Sequence, residues 1–139
     1  MFIIRVYGLI KNSRNDILLT DEIYNGHSFT KFPGGGLQFG EGPVDCLKRE
    51  FLEEFNLEIE NIEHFYTTDF FQESAFHNQK QIISIYYTAK IKAANADAIN
   101  SIDANVIPKW KNINQLSTDD VTFPIDKHVV TMLINKKSS

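Results

Sequence analysis

Three glutamates near the middle of the chain have the spacing of a single helix face. Glu53 and Glu54 follow Glu50 at i+3 and i+4, so at 100° per residue the three carboxylates share one stripe. Like charges at these spacings repel one another, whereas a hard cation such as Mg²⁺ or Mn²⁺ binds several carboxylate oxygens together. The stripe is therefore either a metal-binding surface or an ordinary solvated acidic helix face.

Two neighbouring features favour the metal-binding interpretation. The run GGGLQFGEG precedes the helix, and its glycines let backbone approach a phosphate or a metal and offer carbonyl oxygens as ligands. Arg49 lies beside Glu50 and can hold carboxylates in bidentate geometry. The segment is thus suited to metal-assisted chemistry on phosphates.

Composition excludes several classes of protein. The 139 residues fit one domain, 1–139, and a hydrophobic fraction of 42% supplies a core. A formal net charge of −4 gives no basic surplus for binding nucleic acid. Cys46 is the single cysteine, so neither an intrachain disulfide nor a cysteine-based zinc site is expected. No stretch has the order of a signal peptide or the length of a membrane span, which favours a cytoplasmic setting with no membrane partner.

The first half of the sequence predicts strands followed by one helix. Residues 2–10 and 16–20 are expected to form a hairpin around the polar turn KNSRN. Pro33 and the three glycines after it are expected to interrupt regular structure. Proline at a first helical position predicts a helix from Pro43 to about Phe55. A second stripe of that helix is apolar and is expected to face the core: Val44, Leu47, Phe51 and Phe55.

The second half predicts further strands and a terminal helix. Residues 61–71 and 81–92 are expected to be long strands, with a polar loop between them. Residues 93–104 suit a loop or a weak helix. The run VIPKWKNI predicts a strand interrupted by Pro108, and a last helix is expected to start near Pro124. This order of elements predicts an α/β fold, a mixed sheet flanked by helices.

Residues 35–57 resemble the Nudix box, G-x5-E-x7-R-E-U-x-E-E-x-G-U, in which U is a bulky apolar residue. The matching positions are Gly35, Glu41, Arg49, Glu50, Phe51, Glu53, Glu54 and Leu57. One position departs, because Asn56 replaces the glycine that closes the helix. Asn is the best substitute for glycine in the left-handed conformation wanted there, so we expect a small stability cost and no lost chemistry.

The resemblance implies a single-domain α/β/α sandwich that hydrolyses nucleoside diphosphates linked to another moiety, using Mg²⁺ or Mn²⁺. It implies these metal ligands: the carboxylates of Glu50, Glu53 and Glu54 and the carbonyl of Gly35. Arg49 would orient the carboxylates, and Glu41 would be an outer member of the acidic site or an anchor for the loop. Glu53 is the first choice for the general base, although in this family the base is sometimes a glutamate elsewhere.

Three residues outside the box are weaker candidates for the site. Asp103, seven residues before Trp110, resembles a further acidic ligand of small MutT-like members, or it is a solvated loop carboxylate. Asp126 follows an FP pair, as a base-reading side chain does in MutT-like purine triphosphatases, or it simply suits the first turn of a helix. Phe76, with Phe70 and Phe71, could stack on a base, although core packing is the commoner role of phenylalanine.

Other side chains receive a structural interpretation. Cys46 is expected to be a small buried residue rather than a nucleophile. Lys31 and Lys80 could meet phosphates, but solvent exposure is the preferred interpretation.

The sequence therefore predicts a metal-dependent pyrophosphohydrolase of a small-molecule nucleotide, with a (d)NTP as the leading substrate. A nucleotide sugar or a dinucleotide is an alternative substrate. A nucleotide-binding module without turnover and an isomerase of a diphosphate ester are the alternative functions, and a homodimer is possible. The full Glu50, Glu53, Glu54 and Arg49 set disfavours the silent module, and Cys46 lies on the wrong segment for the isomerase.

Overall fold

The computed structural model describes residues 1–92 and 99–138, so the predicted loop or helix at 93–104 lies partly outside the described residues. The elements, in chain order, are β1 (Phe2–Ile10), β2 (Asp16–Tyr24), β3 (His27–Lys31), β4 (Gly34–Gly36), α1 (Pro43–Phe55), β5 (Ile59–Thr67), β6 (Gln81–Ile91), β7 (Val106–Asn112) and α2 (Pro124–Ser138). Two 3-10 turns, Ile113–Gln115 and Thr118–Asp120, connect β7 to α2.

The described strands form two sheets. Sheet one is mixed, with the order β4-β1-β6-β5, and β1 runs parallel to β6. Sheet two is antiparallel, with the order β3-β2-β7. The predicted α/β class is therefore confirmed, and the predicted sheet is divided into two.

Strand β1 separates two apolar clusters because its side chains alternate between the two faces of its sheet. Tyr7 and Leu9 pack in one cluster with Val129 of α2. Val6 and Ile10 pack in the other with Phe51 of α1. Each helix thus covers one face of β1, and both faces of this strand are buried from Val6 onward.

The predicted hairpin of β1 and β2 is wrong, because the two strands belong to different sheets. The turn itself forms, with the Asn12 amide donating to the Asp16 carbonyl at 3.0 Å. Beyond one bridge between Lys11 and Ile17, β1 pairs with β4 and β6 instead. A strand that is apolar on both faces suits the centre of a covered sheet, which a two-stranded hairpin cannot provide.

Two predicted interruptions are also wrong. Gly34–Gly36 form the short strand β4 against β1, and a Cβ on Gly34 would lie 2.0 Å from the Val6 carbonyl oxygen. The glycines therefore allow the strands to approach rather than breaking them. Pro108 lies inside β7 without ending it. Strand β7 is at the edge of its sheet, where a missing amide donor is tolerated.

Helix α1 has the predicted bounds, and Asn56 closes it as expected. Asn56 is left-handed, with φ 53° and ψ 40°, and its amide donates to the Leu52 carbonyl at 3.0 Å. Val44 is a correction, since it is 36% exposed and lies outside the apolar cluster that covers Leu47. Val44 lies in the first turn of α1, at the N-terminal end of the helix. Cys46 takes its place in the buried stripe.

Candidate active site

Gly35 lies against the carboxylate of Glu50 at the junction of β4 and α1. A Cβ built on Gly35 would lie 2.3 Å from the Glu50 carboxyl carbon, well inside van der Waals contact. Only glycine therefore lets this carboxylate sit directly against the strand backbone. Burial is the main cause that raises the pKa of Glu50, and Glu53 adds to it, while Arg49 opposes the shift.

Arg49 ties the loop before the helix to the helix itself. Its Nε donates to Glu41 Oε2 at 2.9 Å, and its Nη2 donates to Glu41 Oε1 at 2.8 Å. Nη2 also donates to the Gly36 carbonyl at 3.1 Å, and the Gln38 amide donates to Glu41 Oε1 at 2.9 Å. The hydrogen bonds from Arg49 are the first cause that lowers the pKa of Glu41 to about 2. This geometry fits the anchor role among the two roles predicted for Glu41.

The same guanidinium bridges two of the predicted metal ligands. Arg49 Nη1 lies 3.0 Å from Glu50 Oε1 and 3.0 Å from Glu53 Oε2. The side chain of Glu53 is 60% exposed. Within residues 1–92 and 99–138, no three carboxylate, histidine or cysteine side chains are gathered as ready metal ligands. Arg49 contacts one oxygen of each carboxylate, so a metal could bind through the other oxygen of each while Arg49 keeps its contacts.

Glu54 faces a second group of charges. The Ile102 amide donates to the Glu54 carbonyl at 2.8 Å, which brings the loop that holds Asp103 against α1. Burial is the main cause that raises the pKa of Glu54, followed by the charge of Glu22; Asp103 adds to the shift, and Lys31 opposes it. The structure therefore places Asp103 near the acidic stripe, although its side chain is exposed and accepts from the Asn105 amide at 2.8 Å.

The chemistry of these donors fits a hard divalent cation. Oxygen atoms are the ligands that Mg²⁺ and Mn²⁺ prefer, and the half-buried Glu54 carboxylate, whose pKa the charge of Glu50 helps to raise, would gain from a nearby cation. The space at Gly35, which a Cβ would fill, gives the Glu50 carboxylate access to the backbone of β4. Glu50 and Glu54 are thus the best-placed side-chain ligands.

A cavity of about 490 Å³ opens between the two sheets and the start of α2. Glu22, Lys31 and Asp103, whose charges act on Glu54, line it together with Arg5 and Asp126. Ligand pockets of small molecules span about 300–1,000 Å³. The cavity therefore has room for a ligand the size of a nucleoside.

Asp126 is buried in the inner wall of this cavity and is only 2% exposed. The hydroxyl of Tyr86 and the amide of Phe32 donate to its carboxylate. Burial raises the pKa of Asp126 to about 6, against these hydrogen bonds and the charges of Lys31 and Arg5. Asp126 therefore does lie in the first turn of α2, and it also faces the space where a base could bind.

Aromatic side chains form the outer wall of the cavity. The ring of Phe76 lies 5.3 Å from that of Tyr24, 5.5 Å from that of Phe29 and 5.9 Å from that of Phe123. Phe76 is 37% exposed and lines the cavity, whereas Phe70 and Phe71 do not line it. These phenylalanines are not core residues, and Phe76 alone among the three is placed to stack on a ligand.

Lys31 is a correction, because it is 5% exposed rather than solvated. Its Nζ lies 2.9 Å from Glu22 Oε2 and donates to the Phe32 carbonyl at 3.1 Å.

Arg5, which lies on the cavity side of β1, is a site residue that the sequence did not predict. The residues around Arg5 in the sequence do not indicate a site, because the place of Arg5 beside the cavity depends on the parallel pairing of β1 with β6. Cys46 is fully buried as predicted, and burial raises its pKa to about 12.

Comparison with known sequences identifies one domain over nearly the whole chain. The sequence model of the NUDIX domain matches residues 1–131. The 8-oxo-dGTP diphosphatase of Escherichia coli (strain K12) is 36% identical over 52 residues, which cover 36% of this chain and 40% of that protein. The match thus spans less than half of the curated relative. None of the described helices is long and apolar enough to cross a membrane.

Solved structures share the fold along almost the full length. A MutT structure from work on Aliivibrio salmonicida and Vibrio cholerae superposes with a TM-score of 0.72 at 22% identity, covering 98% of this chain and 99% of that chain. A NUDIX hydrolase from Nitrosomonas europaea gives 0.73 at 18% identity, covering 99% and 89%. MutT from Methanosarcina mazei Go1 gives 0.73 at 18% identity, covering 99% and 96%. The predicted fold is confirmed, and because the domain model covers residues 1–131, the chain belongs to the Nudix family.

Proposed function

We propose that the protein is a Mg²⁺- or Mn²⁺-dependent pyrophosphohydrolase that cleaves a nucleoside diphosphate-X compound. The observation that carries this proposal is the cavity of about 490 Å³ whose lining residues Glu22, Lys31 and Asp103 act electrostatically on Glu54, a half-buried carboxylate of the helix stripe. The cavity would hold the nucleoside, and the stripe would meet its phosphates. Family membership and the diphosphatase relative support an enzyme that acts on phosphoanhydride bonds.

The carboxylates would hold the metal, with Glu50 and Glu54 as the inner ligands and the Gly35 carbonyl beside Glu50. A bound divalent cation neutralises phosphate charge and makes water a better nucleophile at neutral pH. Glu53 is our first choice to take the proton of that water, because it is the most exposed of the three carboxylates that Arg49 contacts. Asp103 is a candidate for a further ligand from the loop that docks on α1.

Arg49 and Glu41 would fix the frame of this site. The two hydrogen bonds between them join the loop at Gln38 to α1, so that the backbone at Gly35 and Gly36 is held in place against the helix. Replacing a group that orients a metal ligand typically costs about 10- to 100-fold in metal affinity or activity.

The leading substrate is a (d)NTP that yields a monophosphate and pyrophosphate. The E. coli relative is named for 8-oxo-dGTP, so purine deoxynucleoside triphosphates are the first compounds to test. Phe76 would stack on the base, and Asp126 would accept hydrogen bonds from it. Nucleotide sugars and dinucleotides are the alternative substrates. A cytoplasmic location and a homodimer stay predictions.

A release assay over a substrate panel tests the proposal. Phosphate and pyrophosphate would be measured for nucleoside triphosphates, nucleotide sugars, ADP-ribose and dinucleoside polyphosphates, with Mg²⁺ and with Mn²⁺. Turnover of one class by the wild type, reduced at least 100-fold in Glu53→Gln, is the expected result. Tight binding without turnover of any compound would favour the silent module instead. Interconversion of a diphosphate ester without release of phosphate would favour the isomerase.

A further inference from the structure

Arg5 lies on the cavity floor with most of its donors unused. A guanidinium has five N–H groups, and in Arg5 only Nε donates to a protein atom, the Tyr7 hydroxyl, at 2.7 Å. Within residues 1–92 and 99–138, neither terminal nitrogen of Arg5 has a hydrogen-bond acceptor or a carboxylate within ion-pair distance. Four N–H groups of this half-buried, cavity-lining cation therefore have no protein acceptor among the described residues.

The position of the guanidinium is fixed by its surroundings. Arg5 stands opposite Gly36 on one side and Ser84 on the other. Its Cζ lies 5.6 Å from the centre of the Tyr7 ring, and its Nε donates to the hydroxyl of the same residue, so both contacts restrict the guanidinium. Gly36 has no side chain to crowd the guanidinium. A Cβ on Gly36 would lie 3.8 Å from Arg5 Nη1. The fork is thus preorganised, which lowers the cost of binding a ligand.

Arg5 also interacts electrostatically with both parts of the proposed site, the inner cavity wall at Asp126 and the acidic stripe at Glu50. Its charge acts on Asp126 in the inner wall and is itself acted on by Glu50 of α1. Lys31, the other cation of the cavity, already contacts Glu22 and the Phe32 carbonyl. Arg5 is therefore the cation of this floor that has the most free donors for a ligand.

We propose that Arg5 is a specificity-determining residue that binds two neighbouring acceptor atoms of the nucleotide in this cavity. The planar fork matches either the carbonyl and ring-nitrogen edge of a base, as on guanine, or two oxygens of the phosphate next to the sugar. The inference rests on the proposed function, because it takes the ligand of the cavity to be a nucleotide. It assigns a contact that the box motif does not contain.

Binding without turnover tests this assignment. Dissociation constants would be measured by NMR titration in EDTA for guanosine, adenosine, GMP and AMP, against wild type, Arg5→Gln and Arg5→Lys. Arg14→Gln, on the exposed turn before β2, is the matched loss of one arginine. Thermal unfolding would identify any variant that fails to fold, and Arg5→Lys keeps the charge while it loses the planar fork.

Binding to the base edge and binding to the phosphate predict different changes in the four dissociation constants. If Arg5 binds the base edge, both variants weaken guanosine and GMP about 10- to 100-fold and leave adenosine and AMP within about twofold. If Arg5 binds the phosphate, GMP and AMP weaken alike, while both nucleosides are unaffected. Folded variants that bind all four compounds as the wild type does would overturn the proposal, as would a wild type that binds none. Neither result depends on hydrolysis, so the release assay tests the proposed function independently of this experiment.

Discussion

At the scale of single residues, Arg49 organises the candidate site. Its N–H groups reach Glu41, Glu50, Glu53 and the carbonyl of Gly36 in β4, so it contacts three of the four glutamates of the box. A lysine offers a point charge and cannot reproduce these planar contacts.

Replacing the guanidinium of Arg49 should impair catalysis more than folding. Arg49→Lys is expected to lower kcat or the affinity for Mg²⁺ about 10- to 100-fold, because the carboxylates lose the group that orients them. Steady-state kinetics over a Mg²⁺ titration measure the effect. Arg14→Lys, on an exposed turn, is the control. Kinetics of Arg49→Lys equal to those of the control would refute the orienting role.

Asp126 should make stability depend on pH. Folding raises its pKa from 3.8 to about 6, so the native carboxyl binds a proton more tightly than the unfolded one. Its stabilising contribution is complete below about pH 4 and is lost as the pH rises through 6. Asp126→Asn should therefore flatten the unfolding free energy between pH 4 and 6. Urea unfolding across this range measures it, with Glu60→Gln, an exposed strand residue, as the control.

At the scale of elements, the close approach of β4 to α1 shapes the site. The three glycines of β4 make a strand without side chains between β1 and the carboxylates of the helix. Gly35 and Gly36 differ in what a side chain would meet, and this difference makes them a matched pair for substitution.

Gly35→Ala should displace the Glu50 carboxylate. Its Cβ would lie 2.3 Å from the Glu50 carboxyl carbon, whereas the nearest atom to a Cβ on Gly36 is 3.8 Å away. We expect Gly35→Ala to lower kcat at least tenfold and Gly36→Ala to have a much smaller effect. Equal losses in the two variants, measured with thermal unfolding alongside, would mean that β4 tolerates no side chain for reasons unrelated to Glu50.

The end of α1 predicts a stability change that leaves catalysis intact. Asn56 has φ 53°, a conformation that costs alanine about 1 kcal/mol and glycine nothing. Asn56→Ala should lower the free energy of unfolding by about 1 kcal/mol, while Asn56→Gly should maintain or raise it. Chemical denaturation of both variants measures this difference, and a reversed order would contradict the capping account.

Local patterns in the sequence were sufficient for α1 and insufficient for strand pairing. The bounds of α1 and its Asn56 cap follow from residues close in sequence, as does the burial of Cys46. The separation of β1 from β2 and the short strand β4 depend on contacts between distant segments, which local patterns do not encode. The burial of Lys31 and the free donors of Arg5 follow from that pairing, so neither could be predicted.

At the scale of the whole molecule, the two sheets and the two helices place a cavity and an acidic stripe side by side. The stripe comes from one continuous motif and was predicted, whereas the cavity is assembled from β1, β2, β3, β6, the start of α2 and the segments 72–77 and 103–106. The proposed division of work follows this arrangement: the motif performs the chemistry, and the assembled cavity selects the substrate.

Removing the metal should separate these two tasks. In EDTA we expect turnover to stop, while a nucleoside without phosphates binds the cavity with unchanged affinity, since the lining groups of the cavity, apart from Asp103, lie outside the predicted ligand set. Parallel kinetic and NMR titrations check this. Loss of nucleoside binding along with turnover would mean that the metal holds the cavity together.

The most direct test of the central claim is pyrophosphate release from dNTPs by the wild type, Glu50→Gln and Glu54→Gln, each with EDTA, Mg²⁺ and Mn²⁺. The account predicts metal-dependent release by the wild type and a loss of at least 100-fold in both variants, with thermal unfolding showing that they are folded. Release that continues in EDTA, or folded variants that turn over substrate at the wild-type rate, would contradict the claim that these carboxylates hold a catalytic metal.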